Sequence, residues 1–161
     1  MNRHNMAPDA FLDFVHDIDV SVLAPDTALR DMIDALPGRK FIFTNGTQDH
    51  ATRVATRLGI GDLFHDIFDI VSANYVPKPN AQIYPAMLAQ FGIEAHRSAF
   101  FEDMARNLPP ARALGMTTVL LRDADTPDYG GPVGDEHIDH HAPDLKDILA
   151  RILEHLGRAS G

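Results

Sequence analysis

Short apolar segments alternate with longer amphipathic segments along most of the chain, and this alternation limits the fold more than any other feature. Strands are predicted at 40–45, 67–72, 98–103 and 117–121. Helices are predicted at 8–18, 26–36, 48–58, 80–91, 107–114 and 145–156. Repeated βαβ units of this kind build a parallel sheet with helices on both faces. The sequence therefore predicts an α/β fold with a three-layer, Rossmann-like sheet, and a loop over 122–142.

Composition excludes several classes of function. The 161 residues carry 23 acids and 14 bases, so the net charge of −9 argues against a nucleic-acid surface or an anionic-membrane surface. The chain has no cysteine, which excludes disulfides and thiolate sites and suits a cytoplasmic protein. No apolar run approaches the ~18 residues of a membrane span. We therefore expect a cytoplasmic protein whose partner is a small molecule.

The ends of three predicted strands carry polar residues that can act together. They are Thr44, Asn45 and Gly46 after the first strand, Lys78 shortly after the second, and Glu102 and Asp103 at the end of the third. Right-handed crossovers place the carboxyl ends of parallel strands on one edge, where ligands bind. We therefore expect one site at this edge.

Each group suits a phosphate or its counter-ion. The Thr44 hydroxyl and the amides of Asn45 and Gly46 can donate to phosphate oxygens. Lys78 supplies a point charge for an anion. The adjacent carboxylates that close the third strand are ligands that Mg²⁺ prefers. Taken alone, each group is also typical of a turn or a solvated charge, and their joint placement favours a site for a small phosphorylated substrate.

Three segments resemble motifs two, three and four of the haloacid dehalogenase superfamily: FTNG, VPKPNAQIYPAML and FFEDMARNLPPARALGMTTVLL. The likeness is greatest to its pyrimidine 5′-nucleotidase-like phosphatases and covers about residues 9–155. It implies a Mg²⁺-dependent phosphatase in which Thr44 binds phosphate and Lys78 neutralises the phosphoryl group. It also implies that Asp103 holds Mg²⁺, with Glu102 as a ligand or a neighbour of one. Asn107 matches a polar residue that the family keeps near the site.

The resemblance also implies that the family's first motif, DxDxT, is missing. Its first aspartate attacks phosphorus and its second acts as general acid and base. The first residues instead resemble the last helix of the family's cap domain. We therefore expect a core truncated at its amino end, with 1–22 as a remnant of cap helix and linker and 23–161 as the core.

One segment near the start can replace that motif. Asp17, Asp19 and Ser21 form DxDxS, which makes Asp17 a candidate nucleophile. The apolar residues of 8–18 match a helical repeat better than a strand, however, so the helix-and-linker interpretation is favoured.

In the superfamily that this chain resembles, the strand of the missing first motif lies at the centre of the sheet, between the strands that end in TNG and in ED. A core without it would leave two strand edges facing a gap, and such edges recruit other chains. The two half-sheets can close on each other, residues 11–20 can fill the gap, or a second chain can cover it. We favour a homodimer that involves 8–22 and the edges of 40–44 and 98–102.

A histidine-rich segment offers an alternative chemistry. His137, Asp139, His140 and His141, with Glu102 or Asp103, can bind Zn²⁺ or Mn²⁺ and activate water. The spacing matches no zinc motif, so a solvated loop is the favoured interpretation. A non-catalytic, self-associating protein is the third possibility.

Overall fold

The computed structural model describes residues 19–123, 125–127 and 133–159. Contacts divide the chain into two compact units with a boundary between Pro77 and Lys78. Each unit is described by itself. The predicted helix over 8–18 and the candidate Asp17 lie outside the described residues, and the predicted domain boundary after residue 22 stays a prediction.

The first unit contains a two-stranded parallel sheet, in which β1 (Phe41–Phe43) pairs with β2 (Asp66–Phe68). Two helices accompany it, α1 (Thr27–Ala35) and α2 (Gln48–Leu58). The side chain of Asp26 accepts from the amide of Leu29 and so caps α1, as expected of an aspartate at a helix start. The predicted bounds of both helices are confirmed to within one residue.

The strand predicted at 67–72 is wrong beyond Phe68. The carboxylate of Asp69 accepts hydrogen bonds from both the amide and the hydroxyl of Ser72, at 2.8 Å each. Backbone bonds from Ala73 to Asp69 and from Tyr75 to Ile70 continue this fold-back. Local side-chain bonds of this kind compete with strand pairing, so the apolar segment turns instead of extending.

The second unit contains a three-stranded parallel sheet in the order β3-β4-β5. Its strands are β3 (Ala99–Glu102), β4 (Thr117–Leu121) and β5 (His140–Ala142). Its helices are α3 (Ile83–Phe91), α4 (Leu108–Ala113) and α5 (Leu145–Ala159). The buried core of this unit includes Tyr84, Met87, Phe100, Leu108, Val119, Leu120, Ile148 and Leu149. Short 3₁₀ turns connect the elements of both units at Val20–Val22, Gly61–Leu63, Ala95–Arg97, Ala105–Asn107 and Asp135–His137.

The loop predicted over 122–142 is wrong at its end, which forms β5. Thr118, fully buried in β4, fixes the approach to this strand. Its hydroxyl donates to the carbonyl of His137 at 2.8 Å, and its amide donates to the carboxylate of Asp139 at 2.9 Å. These contacts dock a three-residue strand that is too short to show its own periodicity.

The strand pairs β1–β2, β3–β4 and β4–β5 are all parallel, and α2 and α4 connect the strands of the first two pairs. The predicted α/β fold is therefore confirmed. Among the described helices, none combines the length and the apolar character needed to cross a membrane.

Candidate active site

A buried ion pair lies at the carboxyl end of β3. The ammonium nitrogen of Lys78 is 2.7 Å from Oε2 of Glu102, and the two side chains are 9% and 6% exposed. The same nitrogen lies 5.4 Å from the centroid of the Phe100 ring. Oε1 of Glu102 accepts from the amide of Met104 at 3.2 Å. Both carboxylate oxygens of Glu102 are thus occupied, one by a cation and one by the backbone.

Burial dominates the electrostatics of Glu102. It raises the pKa of the carboxyl above its ordinary value, because a charged carboxylate is poorly solvated away from water. The Lys78 ammonium acts in the opposite direction, and a hydrogen bond with the carboxyl of Asp103 raises the pKa further. A weakly solvated environment of this kind strengthens the interaction between Lys78 and any anion that approaches it.

The adjacent Asp103 differs from Glu102 in that its side chain is exposed. It therefore offers a carboxylate to solvent at the end of β3, whereas the oxygens of Glu102 are engaged. Mg²⁺ is commonly held by one or two carboxylates together with waters and substrate phosphates. The geometry favours Asp103 as the ligand and Glu102 as the residue that orients Lys78.

Two further residues of the second unit belong to the same cluster. The hydroxyl of Tyr84, which has no exposed surface, donates to the backbone carbonyl of Asn107 at 2.7 Å. The Tyr84 ring packs edge-on against Phe100. Burial and the charge of Glu102 raise the pKa of Tyr84, so its hydroxyl stays a donor. No function was assigned to Tyr84 from the sequence, although a tyrosine in an otherwise apolar helix was a usable signal.

The side chain of Asn107 carries an unsatisfied acceptor. The residue is 2% exposed, and within the described part of the chain its Oδ1 accepts no hydrogen bond. Buried oxygens are normally paired, so an exception points to an absent donor or cation. An amide oxygen can ligate Mg²⁺ directly or accept a hydrogen bond from one of the waters bound to it. The chemistry of Asp103 and Asn107 therefore fits this metal ion.

The predicted phosphate-binding corner lies in the first unit, after β1. The amide of Gly46 donates to Oγ1 of Thr44 at 2.9 Å. The sequence prediction gave this amide to a phosphate oxygen, whereas in the structure it is hydrogen-bonded to Thr44. The hydroxyl of Thr44 accepts this bond and keeps its own proton to donate. The Thr44 amide donates to Phe68, and the Gly46 carbonyl accepts from Ile70, which joins the corner to the end of β2.

Asp69 is a buried carboxylate that the sequence prediction missed, and it is 4% exposed. Besides its bonds with Ser72, it accepts from the amide of Gln48 at 3.0 Å. Burial raises the pKa of Asp69, but the hydrogen bonds from Ser72 and Gln48 outweigh burial and bring it below the ordinary value. Its acidic side chain inside the apolar segment IFDIV was the signal that could have revealed it.

The structure thus brings together Lys78, Glu102 and Asp103 in the second unit. The Thr44–Gly46 corner is formed in the first unit, and its union with Lys78 and Asp103 in one site stays a prediction. Asp17 lies outside the described residues.

The histidine segment receives little support as a metal site. His140 and His141 are neighbours on β5, and adjacent strand residues point to opposite faces. Asp139 is engaged by Thr118 and by Arg112, whose Nη2 lies 3.2 Å from Oδ1. Across residues 19–123, 125–127 and 133–159, no three His, Asp or Glu side chains are grouped as metal ligands.

Residues 9–115 match the haloacid dehalogenase-like hydrolase family. The chain belongs to this family. Bifunctional epoxide hydrolase 2 of Sus scrofa is 33% identical over 88 residues, which are 53% of this chain and 16% of that protein. Phosphate metabolism protein 8 of Saccharomyces cerevisiae is 30% identical over 111 residues, 61% of this chain and 35% of that protein. The chain therefore spans well under half the length of these curated relatives.

Solved structures confirm the same fold. A haloacid dehalogenase-like protein from Agrobacterium tumefaciens superposes with a TM-score of 0.63 at 22% identity, covering 78% of this chain and 59% of that one. A HAD phosphatase from Thermococcus onnurineus gives 0.58 at 20%, covering 81% and 54%. L-2-haloacid dehalogenase from Xanthobacter autotrophicus gives 0.60 at 16%, covering 76% and 58%. The superfamily prediction is confirmed, and the nucleotidase-like assignment stays a prediction.

Proposed function

We propose that this hydrolase is a Mg²⁺-dependent phosphatase for small phosphoric esters, of the nucleotidase-like kind. The observation that carries the proposal is the buried Lys78–Glu102 pair beside the exposed Asp103. A relative with a phosphate-metabolism name and a HAD phosphatase of similar fold support this class of substrate.

Lys78 would stabilise the charge that develops on the phosphoryl group. Phosphoryl transfer is catalysed mainly by positioning and electrostatic stabilisation, and a preoriented cation in a weakly solvated site is effective at both. Glu102 would hold the ammonium nitrogen in one place. The Phe100 ring under the ammonium would exclude water from that side.

Asp103 and Asn107 would hold Mg²⁺. When bound, the ion supplies positive charge to the phosphate oxygens. The hydrogen bond from the Tyr84 hydroxyl to the backbone carbonyl of Asn107 fixes the start of α4 and so limits the movement of the Asn107 amide. Thr44 would donate its hydroxyl proton to a phosphate oxygen.

Attack on phosphorus requires a nucleophile, and Asp17 is the candidate that the sequence supplies. Replacing it tests this role directly. If Asp17 forms the phosphoryl-enzyme, turnover should be lost in Asp17→Asn and should also fall in Asp19→Asn, because Asp19 stands where the motif keeps its general acid and base. Asp13→Asn, outside the motif, should keep turnover. Full turnover in Asp17→Asn would return the segment to the linker interpretation.

The function is tested by hydrolysis of an aryl phosphate by the purified chain, with Mg²⁺ and then with a chelator. We expect turnover with Mg²⁺ that falls with the chelator and in Lys78→Met. Lys146→Met, which removes the same charge from an exposed position on α5, should keep full turnover. Halide release from a 2-haloacid without phosphate release would contradict the proposal. Phosphate release that continues at the same rate after the metal is chelated would contradict it as well.

A further inference from the structure

The carboxylate of Asp69 lies between two loops of the first unit. Oδ2 accepts from the amide of Gln48, the first residue of α2, at 3.0 Å. Oδ1 accepts from the amide and the hydroxyl of Ser72, at 2.8 Å each. One side chain therefore binds the segment that follows β1 and the segment that follows β2.

We propose that Asp69 is a positioning residue that holds the Thr44–Gly46 corner in place to receive a phosphate. This inference rests on the proposed function. Asp69 would not touch the phosphate itself. It acts through its hydrogen bonds to Gln48 and to the turn 69–75, which flank the corner on its two sides.

The backbone contacts explain why the corner needs this support. It is joined to the end of β2 by bonds from the Thr44 amide to Phe68 and from the Ile70 amide to Gly46. These bonds fix the corner on its β2 side. The Asp69–Gln48 bond fixes the other end, where the chain enters α2. With both ends fixed, the Thr44 hydroxyl is held in one orientation by the amide of Gly46.

The hydrogen bonds to Asp69 also keep it charged. Its three donors stabilise the carboxylate form and lower its pKa in spite of burial. Hydrogen bonds to a charged acceptor are stronger than those to a neutral one, so the ionised carboxylate holds the two loops more firmly than an amide in its place would.

The turn that begins at Asp69 contains two residues in an unfavourable backbone conformation. Asn74 and Tyr75 both adopt left-handed conformations, with φ of 51° and 59°. Such conformations are rare for residues other than glycine and persist where the surroundings hold them, often at functional sites. The Ser72 bonds to Asp69 are part of what holds this turn, which supports a role in maintaining local geometry.

The test follows backbone amides by ¹⁵N NMR while inorganic phosphate is added. In the wild type, phosphate should shift the resonances of Thr44, Asn45 and Gly46. In Asp69→Asn, phosphate affinity should fall about tenfold and Gln48 amide exchange should rise about tenfold, as expected for loss of a charged hydrogen bond. With an aryl phosphate, the loss should appear mainly in KM.

Asp66→Asn is the matched control. It removes the same charge three residues away, from an exposed side chain that accepts a hydrogen bond from the adjacent amide of Ile67. Both readouts should stay at wild-type values. Equal effects of Asp69→Asn and Asp66→Asn would overturn the proposal, because they would show a general charge effect.

Ser72→Ala keeps the carboxylate and removes only one donor, so it covers the case in which Asp69→Asn fails to fold. We expect a two- to threefold loss of phosphate affinity with an unchanged fold. A lower melting temperature with unchanged phosphate affinity would reduce Asp69 to a structural role and overturn the proposal. If the wild type shows no phosphate response, the proposed function fails, and Gln48 exchange alone decides whether Asp69 fixes the corner.

Discussion

Lys78 and Glu102 form an ion pair at 2.7 Å in which both side chains are buried. Removing two charges from water costs free energy that their attraction repays only with close geometry. A buried pair of this kind is therefore weak evidence for stability. Its retention beside an exposed carboxylate is better explained by a need for a fixed cation at the end of β3.

Breaking this pair should destabilise the protein more than removing all of it. Glu102→Leu leaves a buried ammonium without its partner, which we expect to lower the free energy of unfolding by about 3–5 kcal/mol. The double variant Lys78→Met/Glu102→Leu should recover most of this loss. Urea unfolding of the single and double variants measures both values. A double variant no more stable than Glu102→Leu would contradict this account of the pair.

Asp103 should matter for activity and little for stability, because it is exposed. Asp103→Asn should lower Mg²⁺-dependent turnover of an aryl phosphate by at least ~10²-fold, as expected for loss of a metal ligand. Its unfolding free energy should change by less than about 0.5 kcal/mol. Asp125→Asn removes another exposed carboxylate and is the control. Unchanged turnover in Asp103→Asn would contradict its role as a metal ligand and would favour a metal site at the 137–141 histidines.

The sequence predicted elements well where local signals decide the structure. The 48–58 helix is an example, because Thr47 caps its start and Gly59 ends it with a φ of 75°. Prediction failed where distant or competing contacts decide. The apolar segment after β2 turns because the Asp69 carboxylate accepts a hydrogen bond from the Ser72 amide. The segment before β5 is held against β4 because the Thr118 amide donates to the Asp139 carboxylate.

The candidate site was predictable in its residue types and less so in their pairing. Their positions at strand ends identified Lys78, Glu102 and Asp103, but the sequence could not tell which of the two adjacent carboxylates pairs with Lys78. In the structure the buried Glu102 forms this ion pair, and Asp103 is exposed. The supporting residues Tyr84 and Asp69 were missed because each lies inside an apolar segment that reads as core.

Tyr84 should support the loop that carries Asn107. Tyr84→Phe removes a buried hydroxyl donor and leaves the Asn107 carbonyl without it, which should cost about 1–3 kcal/mol of unfolding free energy. The Mg²⁺ concentration for half-maximal turnover should also rise. A Tyr84→Phe variant with the wild-type Mg²⁺ requirement would remove Tyr84 from the site.

The lowered pKa of Asp69 predicts a pH dependence of stability with a definite sign. An acid whose folded-state pKa is depressed stabilises the folded state above its unfolded pKa of about 3.9, and the contribution is lost as pH falls through the folded value. The wild type should therefore melt above Asp69→Asn at pH 7. This difference should shrink below about pH 4. A difference that is constant from pH 7 to pH 2.5 would show that the charge of Asp69 is not what stabilises the loops.

Self-association is the last prediction, and we propose a homodimer. The motivation is that, among the described residues, β1 and β3 each pair with a neighbouring strand on one side only, and strand edges readily pair with other chains. In addition, Val22 is 80% exposed within the predicted 8–22 contact. Light scattering at micromolar concentration should give about twice the 17.7 kDa of one chain. Val22→Asp should shift the mass toward one chain, whereas Leu114→Asp, at an exposed apolar residue outside the predicted contact, should not. A wild-type mass of one chain would defeat the prediction, and equal effects of the two substitutions would place the contact elsewhere.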